Sequence, residues 1–429
     1  MQDSHSPDSH KSGWTNLMTT TGSLLTSMSE RRSDFPSLRR VHNGLPLAYL
    51  DGPAGTQIPR QVIDAITSYY ATCNANTHGE FITATESDRM LDEARATVAA
   101  FLGAPDATTI SFGANMTTMS YSLSRAIGRM LEPGDEVVIT ELDHEANRGP
   151  WLGLREHGVV VREAAVRNDA TLDYEDFRHK INRKTKLVAM GLASNAFGTV
   201  NDIRLVREMT HRCGSLLLAD AVHFAPHFSI DIQKLDVDFL LCSAYKFYGP
   251  HVGILYSRKG LLDTLETDRL RTQEQRAPYR IETGTLNHAA IAGVKAAVEY
   301  IASLGNGSDL RSRVLDGMRH LGEHERSLGM KLYDGLEGIP KLTIRGQSFD
   351  VPLRAPTLSF TINGKTAKEV CAHLAERAIC TWDGHFYAIR PMEVMGLLER
   401  GGVTRIGVSL YTTAEEIDRL VDEVRRFVA

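Results

Sequence analysis

The stretch "LLCSAYKFYGPHVGILY", residues 240–256, reads as a buried strand, a polar elbow and a second buried strand. Lys246 sits in the elbow, after Tyr245 and before Phe247 and Tyr248. Burial disfavours the charged form of an amine, so more of a desolvated lysine is the neutral amine that can condense with an aldehyde. The competing reading is a lone strand-end lysine that snorkels or joins an ion pair. What else the chain places at strand ends decides between them.

Outward from this stretch, apolar runs alternate with amphipathic helices. The strand candidates are "TTISFG" (108–113), "DEVVIT" (135–140), "GVVVREA" (158–164), "KLVAMGLAS" (186–194), "SLLLAD" (215–220), "FLLCS" (239–243) and "VGILY" (252–256). Several are nearly continuous apolar runs, as strands covered on both faces require. Helical stretches fall between most of them; in "DIRLVREMTHRCG", Gly214 supplies a stop. This alternation predicts an α/β fold with a mostly parallel sheet between helices. Two long helices follow, over 284–305 and 308–335, and then a mixed α+β pattern whose last helix opens on a capping box, Thr413 with Glu416. The expected division is a tail over 1–40, a large domain over 41–305 with 41–60 near the active site, and a small C-terminal domain over 306–429.

The chain has 429 residues, with 42% apolar and 24% charged content, as in a soluble globular protein of about two domains. Its net charge of −5 leaves no basic surface to neutralise a phosphate backbone, so no nucleic-acid partner is expected. No apolar run reaches the ~18 residues of a membrane span. Five scattered cysteines without a C-x-x-C pair fit free thiols in a reducing, cytoplasmic compartment. The first residues, rich in Ser and Thr, lack the apolar block of a secretory signal and are expected to be a disordered tail.

Ligands of an open parallel sheet gather beyond the carboxyl ends of its strands. Asp220 closes "SLLLAD", Lys246 follows "FLLCS", and "GANMTT" (113–118) follows "TTISF" and opens a helix. A buried carboxylate needs a cationic partner. Pyridoxal 5′-phosphate supplies an aldehyde for Lys246 and a protonatable ring nitrogen for Asp220. Its phosphate needs N–H donors at a helix start, which "GANMTT" offers. Each signal alone is weak; together, in this order, they point to that cofactor.

The chain resembles the cysteine desulfurase-like branch of the class V aminotransferases, which are fold-type I pyridoxal-phosphate enzymes. The resemblance is carried by "YLDGPAGTQIP" (49–59), "ELDHEANRGPW" (141–151), "ASNAFGTVNDI" (193–203), "LLLADAVHFAPH" (216–227), "CSAYKFYGPHVGILY" (242–256), "ETGTLNH" (282–288) and "TRIGVSLYTTAEEIDRL" (404–420). It implies that Lys246 binds the cofactor aldehyde and later carries the α-proton, that Asp220 binds the pyridine nitrogen and that His144 stacks on the ring. His223 then takes the position at the ring hydroxyl, and Asn195 stands near that hydroxyl and the substrate carboxylate. Ala114, Asn115 and Ser243 match phosphate-contacting positions. Thr285 matches a residue lent by the other subunit of a homodimer whose active site lies at the subunit interface. Arg405 matches the arginine that grips the substrate carboxylate with its planar fork. The readings without function remain: His144 and His223 as interior histidines, Arg405 as a strand ion pair, and His223 with His227 as a metal pair, for which no third ligand is in evidence, so no metal is expected.

One loop departs from the family. Where desulfurases carry the cysteine that takes up sulfur as a persulfide, "CTWDGHFYAIRPM" (380–392) places Tyr387 when aligned on Gly384 and His385. Cys380 falls earlier, at a strand end, and is expected in the core. Trp382 stands near a position basic in the family, Glu145 at that of a second histidine, and Ala114 and Asn115 replace a threonine of the phosphate turn. The expectation is therefore an enzyme acting on a small α-amino acid, with carbon–sulfur β-elimination foremost. Transamination or epimerisation, true cysteine desulfuration, and a catalytically silent cofactor-binding scaffold are the alternatives. Trp382, His385, Phe386 and Tyr387 are expected to line the substrate side-chain pocket and to favour a group bulkier than a bare thiol.

Overall fold

The structure is a computed structural model and describes residues 28–429. The seven apolar runs form one sheet of β1 Ile110–Gly113, β2 Glu136–Thr140, β3 Val160–Ala164, β4 Thr185–Gly191, β5 Leu216–Asp220, β6 Phe239–Ser243 and β7 Gly253–Ser257. Their spatial order is β3-β2-β4-β5-β6-β7-β1. Pairing is parallel from β3 to β6, and β7 runs antiparallel to both of its neighbours.

Helices cover both faces: α1 Arg60–Thr72, α2 Ile82–Leu102, α3 Met116–Gly128, α4 Ile203–Cys213 and α5 His288–Ala302. Side chains alternate along a strand, so each strand feeds two cores. In β5, Leu217 and Ala219 join Val98 of α2 and Val294 of α5, whereas Leu218 joins Met119 and Leu123 of α3. Gly214 ends α4 at φ 68°, a left-handed position where glycine carries no Cβ penalty, as the sequence indicated.

The C-terminal part is built on a second, antiparallel sheet: β8 Leu342–Arg345, β9 Thr357–Ile362, β10 Trp382–Gly384 and β11 Val403–Gly407, in the order β8-β9-β11-β10. Helices α6 Leu310–Leu336, α7 Ala367–Glu376 and α8 Ala414–Val428 pack with it. Leu328 and Leu332 of α6, Phe360 of β9 and Leu420 of α8 share its core. The Thr413–Glu416 capping box at the start of α8 forms as expected. The whole is an α/β fold of a mostly parallel sheet between helices plus a smaller C-terminal sheet.

The amino-terminal segment differs from expectation. Residues 1–27 of the expected tail lie outside the described residues. Residues 28–40, also assigned to the tail, are packed: Met28, Phe35 and Leu38 are buried in the main core. Phe35 sits edge-on to Tyr248, Tyr300 and Tyr411. Its apolar ring, in a Ser- and Arg-rich stretch, is the group that pays for ordering it. Further on, Ala48–Tyr49 pairs in parallel with Ile379–Cys380, and Ala48 and Leu50 join the core of the C-terminal part.

Candidate active site

The carboxyl ends of β2, β4, β5 and β6 open on one cavity. His144 follows β2, Asn195 follows β4, Asp220 ends β5, Ser243 ends β6 and Lys246 follows it; all of them, with His223, line it. The start of α3 closes another side through Asn115, Met116 and Thr117. Gly253 of β7 permits this, because a Cβ there would run into the backbone of Asn115.

Lys246 is 8% exposed. Its Nζ donates to the carbonyls of Pro53 and, at 3.1 Å, of Ala54, and lies 5.0 Å from the centroid of the Tyr245 ring. Burial, and next the Arg405 guanidinium, push its pKa from 10.5 down to about 7 against the opposing pull of Asp51 and Asp220. The elbow holds its shape because Tyr248, at φ 68°, is locked by an N–H bond of 2.8 Å to Thr56 Oγ1 and by the buried aromatic cluster. Tyr245 stacks on His251 at 4.7 Å.

Asp220 is buried and accepts the Val222 N–H at 2.8 Å. Burial, joined by the nearby Asp143 carboxylate, raises its pKa to about 7. Asp143 itself is pushed up to about 6 by burial while accepting from Gly191 N–H at 3.0 Å and Asn147 Nδ2 at 2.8 Å. His144 accepts the Ala146 N–H on Nδ1 at 3.0 Å, which leaves Nε2 to carry the proton of the neutral ring. Burial, then Lys246 and Arg405, pull its pKa down to about 3, so it is neutral. His223 lies with Nε2 3.0 Å from Thr357 Oγ1, while its buried Nδ1 has no partner. Burial, with His227 next, holds it well below the ordinary histidine range. The possible metal partner His227 instead meets the Glu325 carboxylate at 2.7 Å, and among the described residues no cluster of three or more metal-ligating side chains occurs.

A cleft adjoins the cavity and shares Lys246, His144 and Asn195 with it; Arg405, His385 and Tyr387 line this cleft. Arg405 is 2% exposed. Its Nη2 donates to Asp51 Oδ1 at 3.0 Å and its Nη1 to the Asn195 carbonyl at 3.1 Å, while Nε has no partner. The guanidinium stands 4.1 Å from the centroid of the Phe386 ring. Two expected residues lie elsewhere. Ala114 and Thr285, both exposed, line a separate groove with His251 and are not in the cavity.

The donor set suits pyridoxal phosphate. A low-pKa amine, a buried carboxylate in need of a cation, an unpartnered buried imidazole nitrogen and a helix start face one space. Asn115 caps α3 through Thr118 N–H at 2.9 Å, and Ser243 Oγ accepts the Met116 N–H at 3.0 Å. Asp51, Asp143 and the carbonyls of residues 53–54 had no role assigned from sequence. Asp51 lay in the quoted "YLDGPAGTQIP" motif, whose match to the family was the available signal. Cys380, expected in the core, is only partly buried, and none of the five cysteines lines the cavity or the cleft. Among the described residues, no helix is long and apolar enough to cross a membrane.

Comparison with known proteins agrees with this site. The Aminotransferase class-V family model matches residues 48–420. A cysteine desulfurase of Serratia proteamaculans is 33% identical over 411 residues, spanning 92% of this chain and 97% of the relative. One of Escherichia coli K12 is 31% identical over 424 residues, spanning 94% and 98%. Among solved structures, the apo cysteine desulfurase of Thermococcus onnurineus NA1 matches with a TM-score of 0.83 at 25% identity, over 93% of this chain and 97% of that one. The cysteine desulfurase CsdA of Escherichia coli matches with 0.80 at 26% identity, over 93% and 98%. Enzymes of this family use pyridoxal 5′-phosphate. The chain belongs to the class-V aminotransferase family and is a pyridoxal-phosphate enzyme of the cysteine desulfurase type.

Proposed function

We propose that this enzyme is a carbon–sulfur β-lyase acting on a small α-amino acid that carries sulfur on Cβ. The supporting observation is that no cysteine lines the cavity or the cleft, and that Tyr387 lines the cleft that Lys246 also lines. Bound pyridoxal phosphate supplies an aldehyde for the substrate amine and a ring that accepts the electron pair left when the Cα–H bond breaks. Lys246, poised near neutrality, takes the Cα proton. With the cofactor bound, Asp220 would keep a proton on the pyridine nitrogen, His144 would pack on the ring and the unpartnered His223 Nδ1 would meet the ring hydroxyl. Asn115, Ser243 and the start of α3 would hold the phosphate. Arg405 and Asn195 orient the substrate carboxylate, and His385 and Tyr387 border its side chain.

The Cβ–S bond then breaks with its electron pair leaving on sulfur as a thiolate. Water hydrolyses the remaining enamine to pyruvate and ammonium, so the sum is amino acid plus water giving thiol, pyruvate and ammonium. Thr285, exposed and outside its own cavity, fits a residue offered to a second subunit of a homodimer.

Purified holoenzyme given cysteine, cystine and S-substituted cysteines is expected to release pyruvate together with sulfide or thiol. Consumption of an amino acid without pyruvate points instead to transamination or epimerisation. The names of the relatives favour a second reading, cysteine desulfuration; persulfide trapped on Cys380 with alanine as product would establish it. A holoenzyme whose absorption never responds to any amino acid would mark a silent scaffold.

A further inference from the structure

The cleft beyond Lys246 and Arg405 has an aromatic mouth. Trp382, Tyr387 and Tyr121 are 53%, 67% and 46% exposed, and all three line it. Large apolar side chains scattered singly over a surface need no explanation, but three gathered at the entrance to a reactive amine mark a surface that a ligand covers.

The loop that carries Tyr387 is held in place. Phe386 and Tyr387 have φ of 54° and 57°, consecutive left-handed positions that are strained for residues with a Cβ. Three hydrogen bonds hold this backbone. Asn195 Nδ2 donates to the Phe386 carbonyl at 2.9 Å, Glu145 N–H to the Tyr387 carbonyl at 2.7 Å, and Tyr387 N–H to His385 Nδ1 at 3.1 Å. The Tyr387 ring lies 5.5 Å from that of His144. Backbone strain of this kind persists where the surroundings over-determine it.

Charge narrows the occupant. Apart from Lys246 and Arg405, which the proposed reaction uses, the charged groups lining the cleft are Glu145 and Asp383. Glu145 is paired to Arg148 at 3.2 Å. The outer cleft therefore offers aromatic faces and carboxylates, and no cation for an acidic side chain.

We infer that the substrate is a cysteine S-conjugate whose sulfur bears an uncharged aromatic or bulky apolar group, received by Trp382, Tyr387 and Tyr121. This rests on the lyase reading for its chemistry: the bond broken is Cβ–S, and the conjugate leaves as an apolar thiol. An anionic S-substituent is disfavoured.

Two measurements test the inference separately from the lyase reading. The first compares kcat/KM for pyruvate release from S-benzyl-, S-methyl- and S-carboxymethyl-cysteine. S-benzyl-cysteine is expected to exceed S-methyl-cysteine by about tenfold or more, the scale on which apolar pockets discriminate added groups, and S-carboxymethyl-cysteine to fall below both. Trp382→Ala and Tyr387→Ala are each expected to drive the benzyl-to-methyl ratio toward one. The second titrates holoenzyme with 3-(benzylthio)propionate and 3-(methylthio)propionate, which lack the amine and cannot react, while tryptophan emission is read. Saturable change, tighter for the benzyl compound and lost in Trp382→Phe, is expected. A benzyl-to-methyl ratio near one in both experiments overturns the inference. Tight benzyl binding with no pyruvate from any conjugate overturns the lyase reading and leaves the pocket standing.

Discussion

Asp51 holds the Arg405 guanidinium through a 3.0 Å bond from Nη2, with both side chains buried, at 8% and 3% exposure. The pair joins the amino-terminal segment to β11, and Pro53 in that segment packs where a side chain on Gly407 of β11 would collide. Removing one partner of a buried pair leaves an uncompensated charge. Asp51→Ala is therefore expected to lower stability by about 3–5 kcal/mol in urea denaturation. A change under about 1 kcal/mol, the scale of a solvent-exposed pair, would show that the bridge is not formed.

The buried Lys246 amine makes apoenzyme stability depend on pH. Burial and the Arg405 charge bring its pKa to about 7 in the fold, against 10.5 in the unfolded chain. Between those values the unfolded chain binds one proton more than the fold, so this group's contribution to stability rises with pH across the window. Below it the amine is protonated in both states and the destabilisation is constant. Apo Lys246→Met, which removes the titration, is expected to melt above wild-type apoenzyme near pH 7, the gap narrowing toward pH 10.5. A pH-independent gap would mean the amine is not desolvated.

Cys380 separates the two sulfur chemistries. It pairs in a short strand with Tyr49 and lies outside cavity and cleft, and burial, with the Asp51 carboxylate next, raises its thiol pKa. A raised pKa disfavours the thiolate that attacks sulfur. Cys380→Ser is expected to keep sulfide or thiol release within about twofold of wild type, since a difference below 0.5 kcal/mol is about that factor. Loss of release by orders of magnitude would favour desulfuration.

Phe35 reports on the segment that was expected to be disordered. Its fully buried ring meets three tyrosines, one of them the elbow residue Tyr248. Phe35→Ala is expected to destabilise by about 3–5 kcal/mol, the range for a buried Phe truncated to Ala. An unchanged urea midpoint would return residues 28–40 to the tail.

The central sheet was legible in the sequence because most of its strands are buried on both faces and read as nearly unbroken apolar runs; "FLLCS" and "VGILY" became strands within a residue of their expected ends. Lys246 and Asp220 were legible for a related reason: a charge ending such a run has no water to meet. Asp51 was harder to read. It follows a two-residue strand, and its importance comes from Arg405, 354 positions away. Phe35 likewise sits alone among polar residues, and only tertiary packing with Tyr248, Tyr300 and Tyr411 orders it. Long-range partners of isolated residues leave no periodic trace.

The most direct test concerns the bond between Lys246 and the cofactor. Holoenzyme reduced with borohydride and digested is expected to yield one pyridoxyl-bearing peptide, with the tag on Nζ of Lys246. A tag on any other lysine, or none on a protein that carries stoichiometric pyridoxal phosphate, would contradict the account.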